Sequence, residues 1–213
     1  MIRLNAALFA LAAQFTGKYA PFQGVCINPH ASGGAVIAAS DRGAATFIAC
    51  DPTAALDEEA AFIPADDLVK ACRGIKTAQR EIQITDTSAV VTTFRKTTSE
   101  AKELAIHRTQ QRLPGLPEVI AQAVSYWSAT PELTTTAGRY DIQLLSKAIR
   151  AMADETDSIV VSAFQGGPLR LQREDTGVVV LLMPQTAQPI PPMPSWLVDY
   201  ASTAADASAA CHV

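Results

Sequence analysis

Two pairs of basic residues have the types and the spacing that suit phosphate binding. Lys70 and Arg73 lie three residues apart, and Lys147 and Arg150 repeat this spacing 77 residues later. In a helix, residues three apart lie on the same side, so each pair would form one basic face. Such a face can contact the phosphates of a nucleic acid without reading its sequence. The pattern also fits two solvated helix faces without a ligand, and both interpretations stay open.

Each basic pair belongs to a repeated hexamer with a helical pattern. Residues 68–73 read Leu-Val-Lys-Ala-Cys-Arg, and residues 145–150 read Leu-Ser-Lys-Ala-Ile-Arg. Both place apolar residues on one side of a helix and Lys and Arg on the other. Each hexamer is followed by a set of three short candidate strands. A repeated succession of elements indicates a pseudo-symmetric architecture.

The elements that would position the first pair are short and alternate in type. The spacing predicts a helix over 5–15 with Asn5 as its N-cap, then four short strands. Pro64 opens a second helix, which Gly74 ends, because proline suits the first helical turn and glycine the position after the last. The strands expected in this part of the chain are 22–27, 35–39, 44–49, 60–63, 81–85, 89–94 and 103–107.

The second pair lies in a shorter set of elements. Helices are predicted over 118–127 and 140–153, and strands over 158–163, 169–172 and 178–182. The pattern places four apolar residues on the buried side of the later helix: Ile142, Leu145, Ile149 and Met152. A Pro-rich and then Ala/Ser-rich stretch follows, and we expect it to form a flexible tail.

Composition limits the kind of protein that can carry these faces. The chain has 213 residues and a formal net charge of −4, which excludes a uniformly basic nucleic-acid binder. Up to Arg108 there are 11 basic and 11 acidic residues, so the acidic excess lies in the remainder. Any contact with nucleic acid must therefore use a local patch. No apolar run approaches the ~20 residues that span a bilayer, so we expect no membrane partner.

Other chemistry has little support in the sequence. The four cysteines and three histidines are scattered, without the spacing of metal ligands or a disulfide framework, so we expect no metal, no cofactor and a cytoplasmic location. Gly33-Gly34 and Gly166-Gly167 lack the remaining residues of a phosphate-binding loop. Paired acids such as Glu58-Glu59 are typical of solvated turns. We therefore expect no catalytic residues and no enzyme.

Four segments, in order, resemble motifs of the bacterial DNA polymerase III beta subunit, the sliding clamp. Pro21-Phe22-Gln23-Gly24-Val25 is similar to a strand segment in which Pro precedes Asn-Gly-Val. Residues 39–45 are similar to the family's Ala-Thr-Asp-Gly-His-Arg-Leu turn. Residues 113–120 correspond to its Phe-Pro-Asp-Tyr and Val-Ile/Leu-Pro region, and residues 181–185 to its Val-Met-Pro-Met run.

The resemblance implies a ring in which helices line the inside and strands form the outside. The helices around 66–73 and 142–150 would then face duplex DNA. The family also binds partner peptides in an apolar groove between two domains. The matching positions here are Ser40, Arg42, Gly43, Ala45, Pro114, Val119, Leu181, Met183 and Pro184. Val119, Leu181 and Met183 also fit the alternative of ordinary core residues.

Three departures bear on that resemblance. Arg42-Gly43-Ala44-Ala45 stands in place of Gly-His-Arg-Leu, so the His and Leu that would shape the groove are missing, and Gln185 replaces the second Met. Only residues 128–139 separate the helices of the second module, which is room for one strand but not for a set. The resemblance covers residues 1–186 and corresponds to the second and third of the family's three domains, so a closed ring would require oligomerisation.

We therefore expect an α+β fold of clamp-like modules, with helices on one face of antiparallel sheets. Residues 1–112 would form a complete domain, residues 113–186 an abbreviated one and residues 187–213 the tail. The expected function is to hold duplex DNA non-specifically, as a homo-oligomer, and to tether polymerase or other replication or repair proteins. The alternative is a protein-interaction scaffold with the clamp fold that does not encircle DNA.

Overall fold

A computed structural model describes residues 1–31, 33–56, 60–72, 79–109, 111–121, 138–153, 158–163, 167–173 and 177–185. The elements in chain order are β1 (Ile2–Asn5), α1 (Ala6–Ala12) with a 3-10 turn (Ala13–Phe15), β2 (Gly24–Pro29), β3 (Ala35–Ser40), β4 (Ala45–Asp51), β5 (Ala55–Leu56), β6 (Ala61–Pro64), α2 (Ala65–Cys72), β7 (Gln79–Ile84), β8 (Ser88–Phe94), β9 (Ser99–Ala105), a helical segment over 116–121, α3 (Ile142–Ala153), β10 (Val160–Ser162), β11 (Leu169–Gln172) and β12 (Val178–Leu182).

The described strands form two antiparallel sheets. One has the order β5-β1-β7-β8-β9, and the other has the order β10-β11-β12-β4-β3-β2-β6. The second sheet runs without a break from early to late strands, because β12 pairs with β4. The expected domain boundary at residues 112 and 113 stays a prediction, and the tail lies outside the described residues.

The elements repeat as a strand, a helix and three strands. We call β1-α1-β2-β3-β4 unit 1, β6-α2-β7-β8-β9 unit 2, and α3-β10-β11-β12 unit 3. Units 1 and 2 exchange their first strands: β1 pairs with β7, and β6 pairs with β2. Their helices also pack against each other. The repeat predicted from the two basic hexamers therefore extends to a third copy, around α1, which contains no basic residue and so lacks the hexamer pattern.

Local chemistry explains where the first helix begins. The Asn5 side chain accepts a hydrogen bond from the Ala7 N–H at 2.8 Å, and Asn5 itself has extended backbone angles. This is the N-cap that the sequence predicts. The buried Asp51 carboxylate accepts the Asn5 N–H at 2.7 Å, which joins the start of α1 to the end of β4. The sequence does not predict β1, because four residues are too few for a clear alternation.

The main core lies between the two sheets and the helices. Phe15 and Phe47 stack within it, with ring centroids 5.4 Å apart. Leu68, Ile82 and Val180 belong to the same cluster, so all three units contribute to one core. A smaller cluster covers the opposite face of the longer sheet, where Leu113 and Leu116 pack on Cys26, Ala38 and Phe62.

The orientation of α3 agrees with the prediction at Met152, which is buried, and at Leu145, which packs against the core, but differs at the two isoleucines. Ile142 is 73% exposed and Ile149 is 44% exposed, whereas the sequence pattern places both on the buried side. The buried residues are Ala148, Ala151 and Met152. The helix is rotated about its axis because the two alanines, which have small side chains, occupy the side next to the core.

Candidate nucleic-acid interface

The two packed helices α1 and α2 offer few charges. The sequence of α1 is Ala-Ala-Leu-Phe-Ala-Leu-Ala, so this helix has no side chain that could bind a phosphate. On α2, Lys70 is exposed, and so is Asp66 one turn before it. Arg73, the second member of the predicted pair, lies outside the described residues. The described part of this face therefore has one exposed cation beside one exposed carboxylate.

The third helix, α3, has the denser group of cations. Arg150 is exposed, and Lys147 lies one turn earlier and is half-buried. The Lys147 ammonium sits 5.5 Å from the centroid of the Phe15 ring, which is a cation–π contact. Lys147 therefore links unit 3 to the end of the first helix, while Arg150 is directed to solvent.

These cations border a polar hollow between the end of the first helix and α3. Its volume is about 430 Å³, and it is lined by Gln14, Gln143, Leu144, Ser146, Lys147 and Arg150. Amide, hydroxyl, ammonium and guanidinium groups all donate hydrogen bonds to phosphate oxygens. The sequence does not single out Gln14, because a lone glutamine at the end of an apolar helix carries no spacing signal.

The carboxyl group of Asp41 lies near enough to Lys147 to interact with its positive charge. Burial raises the pKa of Asp41 above its ordinary value, while the Ala45 N–H and the charge of Lys147 act in the opposite direction. The Asp41 carboxylate accepts the Ala45 N–H at 2.8 Å. Asp41 therefore holds the turn after β3 and places a titratable group near the cation.

The predicted peptide groove maps largely to one end of the longer sheet, on the face away from the core. Ser40 pairs with Thr46, which pairs in turn with Leu181, so the three residues form a row across β3, β4 and β12. All three are buried. The Ser40 hydroxyl accepts the Gly43 N–H at 2.9 Å and lies 3.1 Å from the Thr46 hydroxyl. The row is thus partly polar at its β3 end.

The turn beside this row departs from ordinary backbone angles. Arg42 has φ 74° and Gly43 has φ 91°, both in the left-handed region. A Cβ atom at Gly43 would meet nothing within 4 Å, so the conformation and not the space favours glycine there. The Arg42 guanidinium lies 4.6 Å from the centroid of the Tyr19 ring, which fixes the side chain over an exposed aromatic ring.

The remaining groove candidates do not share one surface. Ala45 belongs to the main core, on the opposite face of the sheet from Leu181. Met183, whose N–H donates to the Ala44 carbonyl at 3.0 Å, and Pro184 are half-buried just after β12. Pro114 is exposed and Val119 is half-buried, both in the segment that covers the outer sheet face.

An apolar cavity adjoins that covering segment. Its volume is about 440 Å³, and its lining comprises Cys26, Asn28, Arg112, Leu113, Leu116, Pro117, Ile120 and Ala121. None of the nine predicted groove residues lines it. Burial raises the pKa of the Cys26 thiol there above its ordinary value.

Two kinds of site are not found in the described part of the chain. No three His, Cys, Asp or Glu side chains in the ranges given above come close enough to hold a metal ion. Within those ranges, no helix is long and apolar enough to cross a membrane.

Comparisons with known proteins identify the fold. Neither protein-family models nor curated protein sequences match the chain. Solved structures do match. The DNA polymerase III subunit beta from Borrelia burgdorferi, solved in complex with a natural product, superposes with a TM-score of 0.61 at 11% identity, over 88% of this chain and 65% of that one. This chain therefore spans about two thirds of the length of that protein.

Two further structures extend the comparison. The Helicobacter pylori beta clamp bound to a DNA ligase peptide gives a TM-score of 0.56 at 10% identity, over 87% of this chain and 65% of that one. The Proliferating Cellular Nuclear Antigen from Entamoeba histolytica gives a TM-score of 0.54 at 12% identity, over 87% of this chain and 99% of that one. The predicted α+β class of helices and antiparallel sheets is confirmed. The chain has the fold of the sliding clamps.

Proposed function

We propose that this protein acts as a sliding-clamp-like processivity factor, which holds duplex DNA without sequence preference and tethers replication or repair proteins. The observation that carries the proposal is the polar hollow where α3 meets the end of the first helix. Lys147, Arg150 and Gln143 contribute donors there, on a helix of the clamp fold. Such donors bind phosphates through charge and hydrogen bonds, so binding would be strong at low salt and independent of base sequence.

The proposal includes a homo-oligomer, which the resemblance to the clamp family implies for a ring around duplex DNA. Duplex DNA and replication proteins such as a polymerase are its proposed partners. No reaction is assigned to the protein, since holding and tethering need no bond to be made or broken.

The decisive experiment measures DNA binding as a function of salt. The variant replaces Lys70, Arg73, Lys147 and Arg150 by Gln, and fluorescence anisotropy follows a labelled duplex at roughly 50 to 200 mM salt. We expect the affinity to fall similarly for unrelated duplex sequences. The salt dependence should flatten by up to ~0.9 in slope for each phosphate that the variant no longer neutralises. Unchanged binding would refute the assignment.

A matched control removes the same number of positive charges elsewhere. Arg95, Lys96, Lys102 and Arg112 are exposed and lie on strands, turns and a connecting segment. Their replacement by Gln leaves the helices untouched. If this control weakened binding as much as the helix variant, net charge and not the helix surface would explain the effect.

Tethering is proposed to use the end of the longer sheet around Leu181 and Met183. The probe is a synthetic peptide with leucine and phenylalanine anchors, which an apolar surface would bind. Met183→Glu should weaken its binding about tenfold or more. Phe94→Glu, at an exposed apolar residue on another strand, should not weaken it. Equal affinity for both variants would place peptide binding at another surface.

A protein-interaction scaffold with the same fold is the second candidate. The observation that favours it is the absence of any charged residue in α1, together with the exposed carboxylate of Asp66 beside Lys70. The scaffold would leave DNA unbound at every salt concentration. This candidate would be supported over the first if the solution mass corresponded to a single chain and the protein did not bind duplex DNA.

A further inference from the structure

Unit 3 leaves apolar side chains in solvent on one side of the molecule. Ile142 is 73% exposed and Ile149 is 44% exposed, and they lie two helical turns apart on the same side of α3. Val161, on β10, is 56% exposed. Its register partner Leu171 belongs to the main core, so Val161 lies on the inner face of the sheet.

The equivalent positions on the helix of unit 2 are buried. In the alignment of the two basic hexamers, Ile142 corresponds to Ala65 and Ile149 to Cys72. Ala65 is 5% exposed and Cys72 is 3% exposed. The same side of an equivalent helix is therefore covered in unit 2 and open in unit 3.

The inner faces of the equivalent strands show the same contrast. Val25 and Ile27 on β2, and Ile82 and Ile84 on β7, are fully buried in the main core. Both strands occupy the place in their units that β10 occupies in unit 3, as the first of three consecutive antiparallel strands. The helix and the first strand of unit 3 thus both expose apolar side chains at positions whose counterparts in the other units are buried.

The structure also shows how units 1 and 2 cover the corresponding surfaces of each other. Helix α2 contacts α1 and β2, which belong to unit 1, in addition to strands of its own unit. Each of the first two units therefore buries its open side against another unit of the same kind. Unit 3 packs on the rest of the molecule through β12 and through the contact of Lys147 with Phe15. Among the described residues, Ile142, Ile149 and Val161 remain exposed.

We infer that unit 3 of one chain pairs with unit 3 of a second copy, so that the two α3 helices pack about a two-fold axis as α1 and α2 pack within one chain. Ile142, Ile149 and Val161 would form the apolar centre of this contact. The inference rests on the proposed function only in its expectation of a homo-oligomer, and it adds the surface and the symmetry. A two-fold contact places the same patch on both copies.

The basic edge of α3 is compatible with this contact. Arg150 and Lys147 border the polar hollow beside the first helix, and helical spacing places Ile142 and Ile149 on the adjacent side of α3. Pairing would therefore bury the apolar edge and bring two hollows into one assembly. DNA binding and pairing use different side chains and can be tested separately.

Solution mass tests the contact. We expect the wild-type chain to be a dimer and Ile149→Glu to weaken dimerisation by roughly a hundredfold or more, because each dimer would bury two unpaired carboxylates. Phe94→Glu replaces a similarly exposed apolar residue of unit 2 and should leave the dimer intact. A monomeric wild-type chain, or a dimer that Ile149→Glu does not weaken, would overturn the inference. Circular dichroism confirms that each variant is folded.

A cross-link tests the symmetry. Ser146 lies between Ile142 and Ile149 on α3, at the border between the apolar contact and the polar hollow. Ser146→Cys should therefore approach its own copy and form a disulfide-linked dimer under mild oxidation. Absence of this cross-link would contradict the two-fold arrangement. A wild-type monomer that dimerises only after deletion of residues 186–213 would show that this chain's own C-terminal segment covers the surface, which also overturns the inference. A wild-type dimer that does not bind duplex DNA would refute the proposed function and leave this contact standing.

Discussion

The Lys147 ammonium on α3 lies 5.5 Å from the centroid of the Phe15 ring at the end of the first helix. Phe15 in turn stacks on Phe47 of β4. Because β4 also pairs with β12, the contact strengthens a junction that the backbone already forms. Lys147 therefore has a structural contact in addition to its proposed role in phosphate binding, and Arg150 does not share that contact.

The two cations of α3 should separate stability from binding. Lys147→Gln is expected to lower the free energy of unfolding by about 0.5–1 kcal/mol, because it removes the cation–π interaction. Arg150→Gln, at an exposed position, should change it by less than about 0.5 kcal/mol. Urea unfolding measures both values. Equal stability of the two variants would mean that the Phe15 contact contributes nothing measurable.

The pair of Arg3 and Glu81 should make stability depend on pH. Arg3 lies 2.6 Å from the Glu81 carboxylate and joins β1 to β7, and this contact lowers the pKa of Glu81 below its ordinary value. A lowered carboxyl pKa stabilises the fold above the ordinary glutamate value of about 4.3, and the contribution disappears as the pH falls through the lowered value. Arg3 is largely exposed, so the effect is small and screened by salt.

Urea midpoints of the wild type and Glu81→Gln, measured from neutral pH to acid, test this dependence. The wild type should be more stable at neutral pH, and the difference should shrink in acid and in high salt. Arg3→Gln should reproduce the behaviour of Glu81→Gln. A difference that persists in acid would assign it to packing instead of charge.

Gly34 and Gly33 provide a matched pair for backbone strain. Both have positive φ, 79° and 91°, which suits glycine. At Gly34 an added Cβ would also collide with the Asp51 carbonyl oxygen and come within 2.8 Å of Pro52 Cα, whereas at Gly33 it would meet nothing within 4 Å. Gly33→Ala should lower the free energy of unfolding by about 1–2 kcal/mol, because alanine must then adopt the left-handed conformation.

Gly34→Ala should lower the free energy of unfolding by more, about 3 kcal/mol or above. The backbone at Gly34 and the backbone at Asp51 and Pro52 would have to move apart to make room for the added Cβ. Thermal unfolding of both variants measures the difference. Equal melting temperatures would show that the loop after β4 adjusts freely, contrary to the tight contact in the structure.

The thiol of Cys72 should report on the packing of units 1 and 2. Burial raises its pKa to about 12, with a smaller opposing effect from Arg80. The reactive thiolate is therefore scarce near neutral pH, and the side chain is only 3% exposed. Mass spectrometry after iodoacetamide treatment should find Cys72 unmodified in the native protein and modified in urea. Rapid native modification would indicate that α2 opens locally.

Much of the local structure follows from neighbouring residues. Asn5 before an alanine-rich run predicts a capped helix start, and the strands over 169–172 and 178–182 have the bounds expected from their composition. The paired Lys and Arg of α3 also follow from helical spacing, and the order of the four motifs is enough to predict the clamp fold. These features depend on contacts between residues close in the chain or on a shared succession of elements.

Other features depend on long-range packing, and only the tertiary structure decided them. The pairing of β1 with β7 exchanges strands across more than 70 residues, and no local pattern encodes that partner. The rotation of α3, which leaves Ile142 and Ile149 in solvent, follows from which side chains fit against the core. The sequence by itself determined the elements and their basic and apolar edges. Tertiary packing decided which edges are covered within one chain and which remain exposed to solvent.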